Sequence, residues 1–414
     1  MRFNLADDHP TISLGMDRGR VELDIFHGKV GPPGKPGPAG PGVAAELARL
    51  GGRRAMTFAH AMLAKDNSVG VLFLGDSKVE GTGLTQVAQR WQNQFMGTLR
   101  TVFPVAGGDT GYGYWPADYL TFYDLDKQPT HSAGVVPLGY DGGLGNRSVH
   151  VPVNAYVEWQ GVVTGTSVRV YYTRGSVYGT MEVLVDGTVA TTVNTAGADA
   201  AGRFVDVAVT AGTHTIRVRC SATNAIRPEG LYVQTSATGW HHYDGSHSGY
   251  MTTDYVQNGT TGPQATRHWE SVAALPRPVG LAVIGLGAND MSSLSADQFG
   301  ANAAALVARI EATCPRAGIV FLMGAMRVED ARSAGAGDYP GKLIEFEEAL
   351  RAAIGDNPRV TILQESALWT PLNATPANPA SPVEQDPTGF LADSVHPSIF
   401  GHQQIAAYLR ARTT

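Results

Sequence analysis

Apolar positions along this chain follow two rhythms, and the change between them divides it. Residues 69–74 form a continuous apolar run of strand length. Leu84, Val87, Ala88, Trp91, Phe95 and Leu99 then recur at three-to-four spacing, which predicts an amphipathic helix. The same alternation returns later: strand 279–286, helix 297–313, strand 318–323, helix 341–354, strand 359–363 and helix 399–412, with a further helical pattern over 44–65 before the first strand. Repeated βα units imply a parallel sheet covered by helices on both faces. Ligands in such sheets bind beyond the carboxyl ends of the strands.

Between residues 150 and 235 the pattern shifts to short strands, expected at 151–159, 167–173, 180–185, 204–209, 213–220 and 230–234. Asp186-Gly187 is a strong hairpin signal, and turns recur at short intervals, so this stretch predicts an inserted β-sandwich of jelly-roll type. Nearer the start, residues 11–26 alternate around Asp17-Arg18-Gly19 as a small hairpin would. Gly31, Gly34, Gly37 and Gly40 then mark a collagen-type Gly-X-Y segment rich in proline. It is short enough to be either a stiff extended linker or a trimeric neck supported by its flanks. The expected organisation is an attachment segment over 1–30, the neck or linker over 31–42, an α/β domain over 43–149 and 236–414, and the insert over 150–235.

Composition narrows the function classes. The 414 residues are 43% hydrophobic and 16% charged, with 50 glycines, which suits a globular protein rich in strands and turns. A net charge of −6 and the lack of a Lys/Arg run argue against nucleic acid as a partner. The first residues lack the apolar core of a signal peptide, and no run approaches the length that spans a bilayer. Cys220 and Cys314 fall in different predicted domains and are expected as two free buried thiols.

The candidate chemistry lies at the strand ends. Gly75-Asp76-Ser77 follows the first strand directly, and Asp393-Ser394-Val395-His396 precedes the last helix. A serine hydroxyl is a weak nucleophile, so it needs a histidine to take its proton and a carboxylate to hold that histidine. Ser248-Gly249-Tyr250 and Gly287-Ala288-Asn289-Asp290 add two further segments. The four, in this order, resemble the SGNH (GDSL-type) hydrolase superfamily over residues 69–120 and 236–412. That resemblance implies a three-layer αβα sandwich with a flavodoxin-like parallel sheet. It also implies Ser77 as nucleophile, His396 as base and Asp393 as its orienter, with an oxyanion hole from the Ser77 and Gly249 N–H groups and the Asn289 amide. No cofactor or metal is implied.

Other residues are read beside these. Asp76 is expected to support the turn rather than act as an acid, and His402 to be a helix-face or core histidine. His241, His242 and His247 could serve zinc, but adjacent strand histidines point to opposite faces and rarely share an ion. They are expected instead to lead into the Gly249 turn and border the cleft, with Tyr112, Tyr114 and Trp115. The insert looks similar to carbohydrate-binding modules, although Trp159, Tyr171, Tyr172 and Tyr178 would be ordinary strand residues in a mere spacer. The N-terminal region resembles the attachment end of phage tail proteins, and such virion proteins need no signal peptide. The leading expectation is a carbohydrate O-deacetylase of a phage tail, acting on an acylated cell-surface polysaccharide, and a homotrimer through its N-terminal region where that segment serves as a neck. A lipase or thioesterase, and an inactive receptor-binding tail protein, are the alternatives.

Overall fold

The computed structural model describes residues 2–3, 11–17, 20–26, 42–118, 126, 128–162, 166–259, 264–324, 339–365, 368 and 396–413. The chain divides into two compact units, residues 1–47 and 48–414. In the first, β1 (Arg2–Phe3), β2 (Thr11–Asp17) and β3 (Arg20–Phe26) form an antiparallel sheet, with Asp17 opposite Arg20 where the hairpin was expected. The collagen-type segment before Gly42 lies outside the described residues. Helix α1 (Gly42–Asp66) follows.

The second unit is built on β4 (Ser68–Gly75), whose residues are all buried. After it come α2 (Ser77–Glu80), α3 (Trp91–Val102) and β5 (Gly113–Pro116). A series of antiparallel strands follows: β6 (Thr130–His131), β7 (Val136–Pro137), β8 (Val149–His150), β9 (Tyr156–Val162), β10 (Ser167–Arg174), β11 (Thr180–Val185), β12 (Thr188–Asn194), β13 (Ala200–Ala208), β14 (His214–Ala222) and β15 (Arg227–Gln234). The chain then returns to α/β alternation through β16 (Gly239–Asp244), α4 (Thr252–Val256), α5 (Ala265–Ala273), β17 (Val279–Leu286), α6 (Ala288–Ser293) and α7 (Ala296–Thr313). It finishes with β18 (Gly318–Met323), α8 (Tyr339–Ile354), β19 (Val360–Gln364) and α9 (Ile399–Thr413).

One nine-stranded sheet carries the unit, in the order β13-β10-β15-β5-β16-β4-β17-β18-β19. From β16 to β19 neighbouring strands run parallel, and from β13 to β5 they run antiparallel. Strand alternation sends side chains to opposite faces. Leu72, Leu74, Ala282, Ile284 and Phe321 therefore pack with Phe299, Leu306 and Val307 of α7 and Phe346 and Leu350 of α8 on one face. Val71, Phe73, Val283, Val320 and Leu322 pack with Ala55 and Ala59 of α1, Phe95 and Leu99 of α3 and Ile405 and Leu409 of α9 on the other. This is a mainly parallel central sheet between two helical layers, the α/β arrangement expected.

The antiparallel end of the sheet faces a second, five-stranded sheet ordered β12-β11-β14-β9-β6. Val168, Val170, Leu231 and Val233 of one meet Val157, Trp159, Met181, Val183 and Val218 of the other in a separate apolar cluster. Asp186 and Gly187 take positive φ, +49° and +82°, as the hairpin between β11 and β12 requires. Trp159 and Tyr171 are fully buried and Tyr172 nearly so, so these aromatics are core residues and not an exposed platform. Cys220 and Cys314 are free and buried.

Two expected elements differ. The helix forecast from Leu84 begins only at Trp91. Arg90 keeps an extended backbone and its guanidinium is drawn into an ion pair with Asp244, while the Asp126 carboxylate accepts the Val87 N–H at 2.9 Å and holds a separate 3₁₀ turn at Val87–Gln89. Leu84 and Val87 join the sandwich core instead. The strand forecast from Val151 begins at Tyr156. Pro152 has no N–H to donate and Asn154 adopts φ +67°, so Val151 makes only an isolated bridge to Ile226.

A buried carboxylate joins the antiparallel strands to a helix of the α/β layers. Glu229 of β15 accepts hydrogen bonds from Thr173 Oγ1 (2.8 Å), Gly202 N (2.9 Å) and Ser271 Oγ of α5 (2.8 Å). Burial pushes its pKa up to about 7, against the opposing effect of those three donors. A raised carboxylate pKa favours the neutral folded form. Its contribution is complete below the unfolded value near 4.5 and is lost as pH rises through 7. Glu229→Gln keeps the acceptor oxygen, and its amide can donate to the Ser271 hydroxyl. Urea denaturation should find the variant more stable than wild type by about 2–3 kcal/mol at pH 8 and nearly equal at pH 4. An equal difference at both pH values would refute a charged Glu229 as the cause.

Candidate active site

The site starts from a close approach that only glycine permits. A Cβ on Gly75, the last residue of β4, would collide with the Val79 side chain and the Gly285 carbonyl of β17. The chain can therefore turn sharply into α2. Asp76 is the N-cap, its carboxylate accepting the Lys78 N–H at 2.9 Å, so it supports the turn as expected. Burial raises its pKa to about 6, opposed by the Lys78 charge and this hydrogen bond. Ser77 is the first residue of α2 and is 7% exposed. Its Oγ lies 3.0 Å from His396 Nε2, which approaches from the segment preceding α9. The two residues are 319 positions apart in the chain. Asp393 lies outside the described residues.

The Ser248–Gly249 loop follows β16, the parallel neighbour of β4. Gly249 has φ +83°, a left-handed backbone that favours glycine, and its Cβ position is open space. Asn289 is the second residue of α6, after β17, the neighbour on the other side, and its Nδ2 donates to the Tyr250 carbonyl at 3.1 Å. One hydrogen of that amide remains for another acceptor. Among the described residues nothing accepts from the Ser77 or Gly249 N–H. Asp290 Oδ1 accepts from Thr252 N (2.9 Å) and Thr252 Oγ1 (2.5 Å), which fixes α4 against α6. The Tyr255 hydroxyl accepts from Gly75 N at 3.1 Å and lies 2.9 Å from both the Gly75 and Gly245 carbonyls, which ties the ends of β4 and β16.

Three buried ion pairs surround this edge. Glu80, the last residue of α2, places one carboxylate oxygen 2.8 Å from the Arg147 guanidinium, and the other accepts the Ser248 N–H at 2.5 Å. Burial raises the Glu80 pKa and Arg147 opposes the rise. Asp244, ending β16, meets Arg90 at 2.5 Å and also accepts from Ser246 N and Oγ. Burial alone would raise the Asp244 pKa, but the Arg90 and Arg147 charges hold it well below the usual carboxylate range. Lys78 Nζ pairs with Glu365 at 3.1 Å. None of Glu80, Arg147 or Arg90 stood out in the sequence, and Asp244 did so only as the carboxylate of the histidine-rich segment weighed for zinc. The available signal was weak: Glu80 lies one helical turn after Ser77 in a segment too short to be a solvated face.

The remaining candidates are placed elsewhere. His241 and His242 do not border the cleft: they are 0% and 4% exposed within β16. His241 contacts the Tyr232 hydroxyl, and His242 meets Gln92 Oε1 and the Tyr112 carbonyl. Tyr114 and Trp115 are core residues of β5 at 2% and 3% exposure. His247 lies in the Gly249 loop, stacked on Tyr250 at 4.0 Å, and burial lowers its pKa to about 3. His402 is buried in α9, where its Nδ1 accepts the Trp91 N–H at 3.1 Å. Among the described residues no group of three His, Cys, Asp or Glu side chains could hold a metal, and no helix is long and apolar enough to cross a membrane.

The arrangement of sheet, helices and sandwich has a solved counterpart. The chain shares its fold with a peptidoglycan O-acetylesterase. That match covers 87% of this chain and 97% of the other at 15% identity, with a TM-score of 0.59. A family two carbohydrate esterase from Clostridium thermocellum, solved with cellohexaose, aligns over 67% of this chain and 97% of its own at 13% identity and a TM-score of 0.30. An acetyl xylan esterase from the rumen bacterium Butyrivibrio proteoclasticus aligns over 69% and 98% at 12% identity and a TM-score of 0.26. The last two superpose too loosely to bear on this chain. No family model and no curated protein matches it.

Glu80→Ala removes the partner of both Arg147 and the Ser248 N–H. Breaking a buried pair from one side costs about 3–5 kcal/mol, and urea denaturation should show a loss of that size. A loss under about 1 kcal/mol, typical of a surface pair, would mean that Glu80 does not anchor the loop.

Proposed function

We propose that the protein is a serine esterase that removes acetyl or another short acyl group from a bacterial envelope glycan. The single observation that carries this reading is the 3.0 Å approach of His396 Nε2 to Ser77 Oγ, within reach of proton transfer. In the proposed reaction Ser77 Oγ attacks the acyl carbonyl carbon while its proton passes to His396 Nε2. The carbonyl oxygen becomes an oxyanion, held by the Ser77 and Gly249 N–H groups and the free hydrogen of the Asn289 amide. Collapse breaks the bond to the sugar oxygen, which takes the proton from His396. Water then attacks the acyl-enzyme by the same route, releasing the acid and restoring Ser77. Asp393, three residues before His396, is the proposed orienter of the imidazole.

Two features favour a glycan ester over a lipid. The fold is shared with a peptidoglycan O-acetylesterase, and an antiparallel sandwich, which we read as a jelly-roll insert of carbohydrate-binding type, extends the central sheet. The collagen-type repeat and N-terminal hairpin favour mounting on a phage tail, in a virion, through a neck that either spaces or trimerises the chain.

Hydrolysis of p-nitrophenyl acetate and acetate release from O-acetylated peptidoglycan test the reading. Ser77→Ala should remove essentially all turnover. Asn289→Ala should lower kcat about 10²- to 10³-fold, the usual effect of one oxyanion donor. Hydrolysis that survives Ser77→Ala would defeat the assignment, and rates that rise with acyl chain length would move the substrate to lipid or thioester.

A further inference from the structure

Away from Ser77, a crevice opens between α3, the 110–115 segment and β16. Its outer part has a volume of about 160 Å³, with Ala88, Asn93, Met96, Arg100, Tyr112 and His242 in its lining. Asn93, Tyr112 and His242 also line a chamber of about 10 Å³, where Trp115 joins them.

In this lining Asn93 Oδ1 and Trp115 Nε1 are buried without a hydrogen-bond partner among the described residues. The first only accepts and the second only donates. Folded proteins rarely leave such atoms unsatisfied, and the chamber has about the volume that a single water or hydroxyl occupies. A hydroxyl serves both, since it donates and accepts.

Charge restricts the ligand further. Arg100 is occupied by Asp109 (3.2 Å), the Gly111 carbonyl (2.9 Å) and the Trp240 carbonyl (3.0 Å). Arg90, which lines the chamber, is paired with Asp244, and both nitrogens of His242 already face partners. The crevice therefore has little to hold an ion. It offers a carboxamide oxygen, an indole N–H, the Thr110 hydroxyl and the half-buried Tyr112 ring, which packs 5.5 Å from the Trp115 ring. An aromatic ring with a few neutral hydrogen-bonding groups suits the C–H face and hydroxyls of a sugar. The outer volume is many times what one water needs and far short of what a chain of sugars needs.

We propose that this crevice is an accessory site for one neutral sugar unit, with a hydroxyl between Asn93 and Trp115 and the ring beside Tyr112. The choice of a sugar rests on the glycan-esterase reading above. The site is also linked to the nucleophile turn: Gln92 Nε2 donates to the Val79 carbonyl of α2 at 2.9 Å, and Gln92 Oε1 meets His242 at 2.8 Å.

Saturation-transfer NMR on the full chain, with N-acetylglucosamine as the probe, tests the proposal. Transfer to the sugar protons is expected. Binding should weaken about tenfold or more in Ala88→Trp, which fills the exposed mouth, and in Trp115→Phe, which keeps an aromatic ring and removes the N–H. No transfer at millimolar sugar, leaving only water in the chamber, overturns the proposal, as does binding that survives both variants. Hydrolysis of p-nitrophenyl acetate by the wild-type chain, measured in parallel, separates the two readings. Hydrolysis without sugar binding sinks the crevice alone, and sugar binding without hydrolysis sinks the esterase alone.

Discussion

Compensation of buried charge governs the Ser77 edge. Glu80 and Asp244 are fully buried, and a carboxylate there is tolerable only with a cation and further hydrogen bonds in place. Each finds an arginine distant in sequence, Arg147 for Glu80 and Arg90 for Asp244. Satisfying the charges therefore fixes four chain segments against one another. The geometry of the site follows directly, because the second Glu80 oxygen holds the Ser248 N–H. Ser77 and the loop carrying Gly249 are positioned by the two ends of the same four-residue helix.

The sandwich acts on the same body rather than hanging from it. Strand β5 pairs antiparallel with β15 and touches β16 in parallel at Tyr114 opposite Tyr243. Its hydrogen bonds join the antiparallel and the parallel parts of one continuous sheet. Glu229 adds a second fastening, since its carboxylate gathers donors from β10, β13 and α5. The antiparallel strands are thus held to the strands of the α/β part by backbone pairing and by this buried carboxylate together.

The parallel core was legible because burial on both faces produces long apolar runs. Strands 279–286 and 318–323 have the bounds read from the sequence, and α7 differs by one residue. β16 was obscure for the opposite reason. Its Trp-His-His-Tyr-Asp sequence looks polar, and it became a central strand only because Tyr232, Asp109, Gln92 and Arg90 satisfy those side chains from elsewhere in the chain. The late start of α3 has the same origin, since Arg90 serves Asp244 before it serves a helix. Ser77, Gly249 and Asn289 were readable as local motifs after strands, and His396 as one before the last helix. The Glu80–Arg147 pair that braces them carries no local pattern, because its meaning depends on what the fold brings beside it.

Strand order explains why these motifs converge at all. In the parallel part, β4 lies between β16 and β17, so the connections leaving β4 and leaving β16 turn to opposite sides of the sheet. Such a reversal leaves a crevice at the carboxyl ends of the central strands. Ser77 follows β4, Gly249 follows β16 and Asn289 follows β17, so three loops far apart in the chain become neighbours because their strands are. His396 enters from the segment before α9, and α9 packs with α3 on the face that Val71 and Phe73 present. The reach of the imidazole to Ser77 Oγ is therefore set by helix packing on that face as much as by the loop, which gives residues with no contact to the site, such as Ile405 and Leu409, a hold on its geometry.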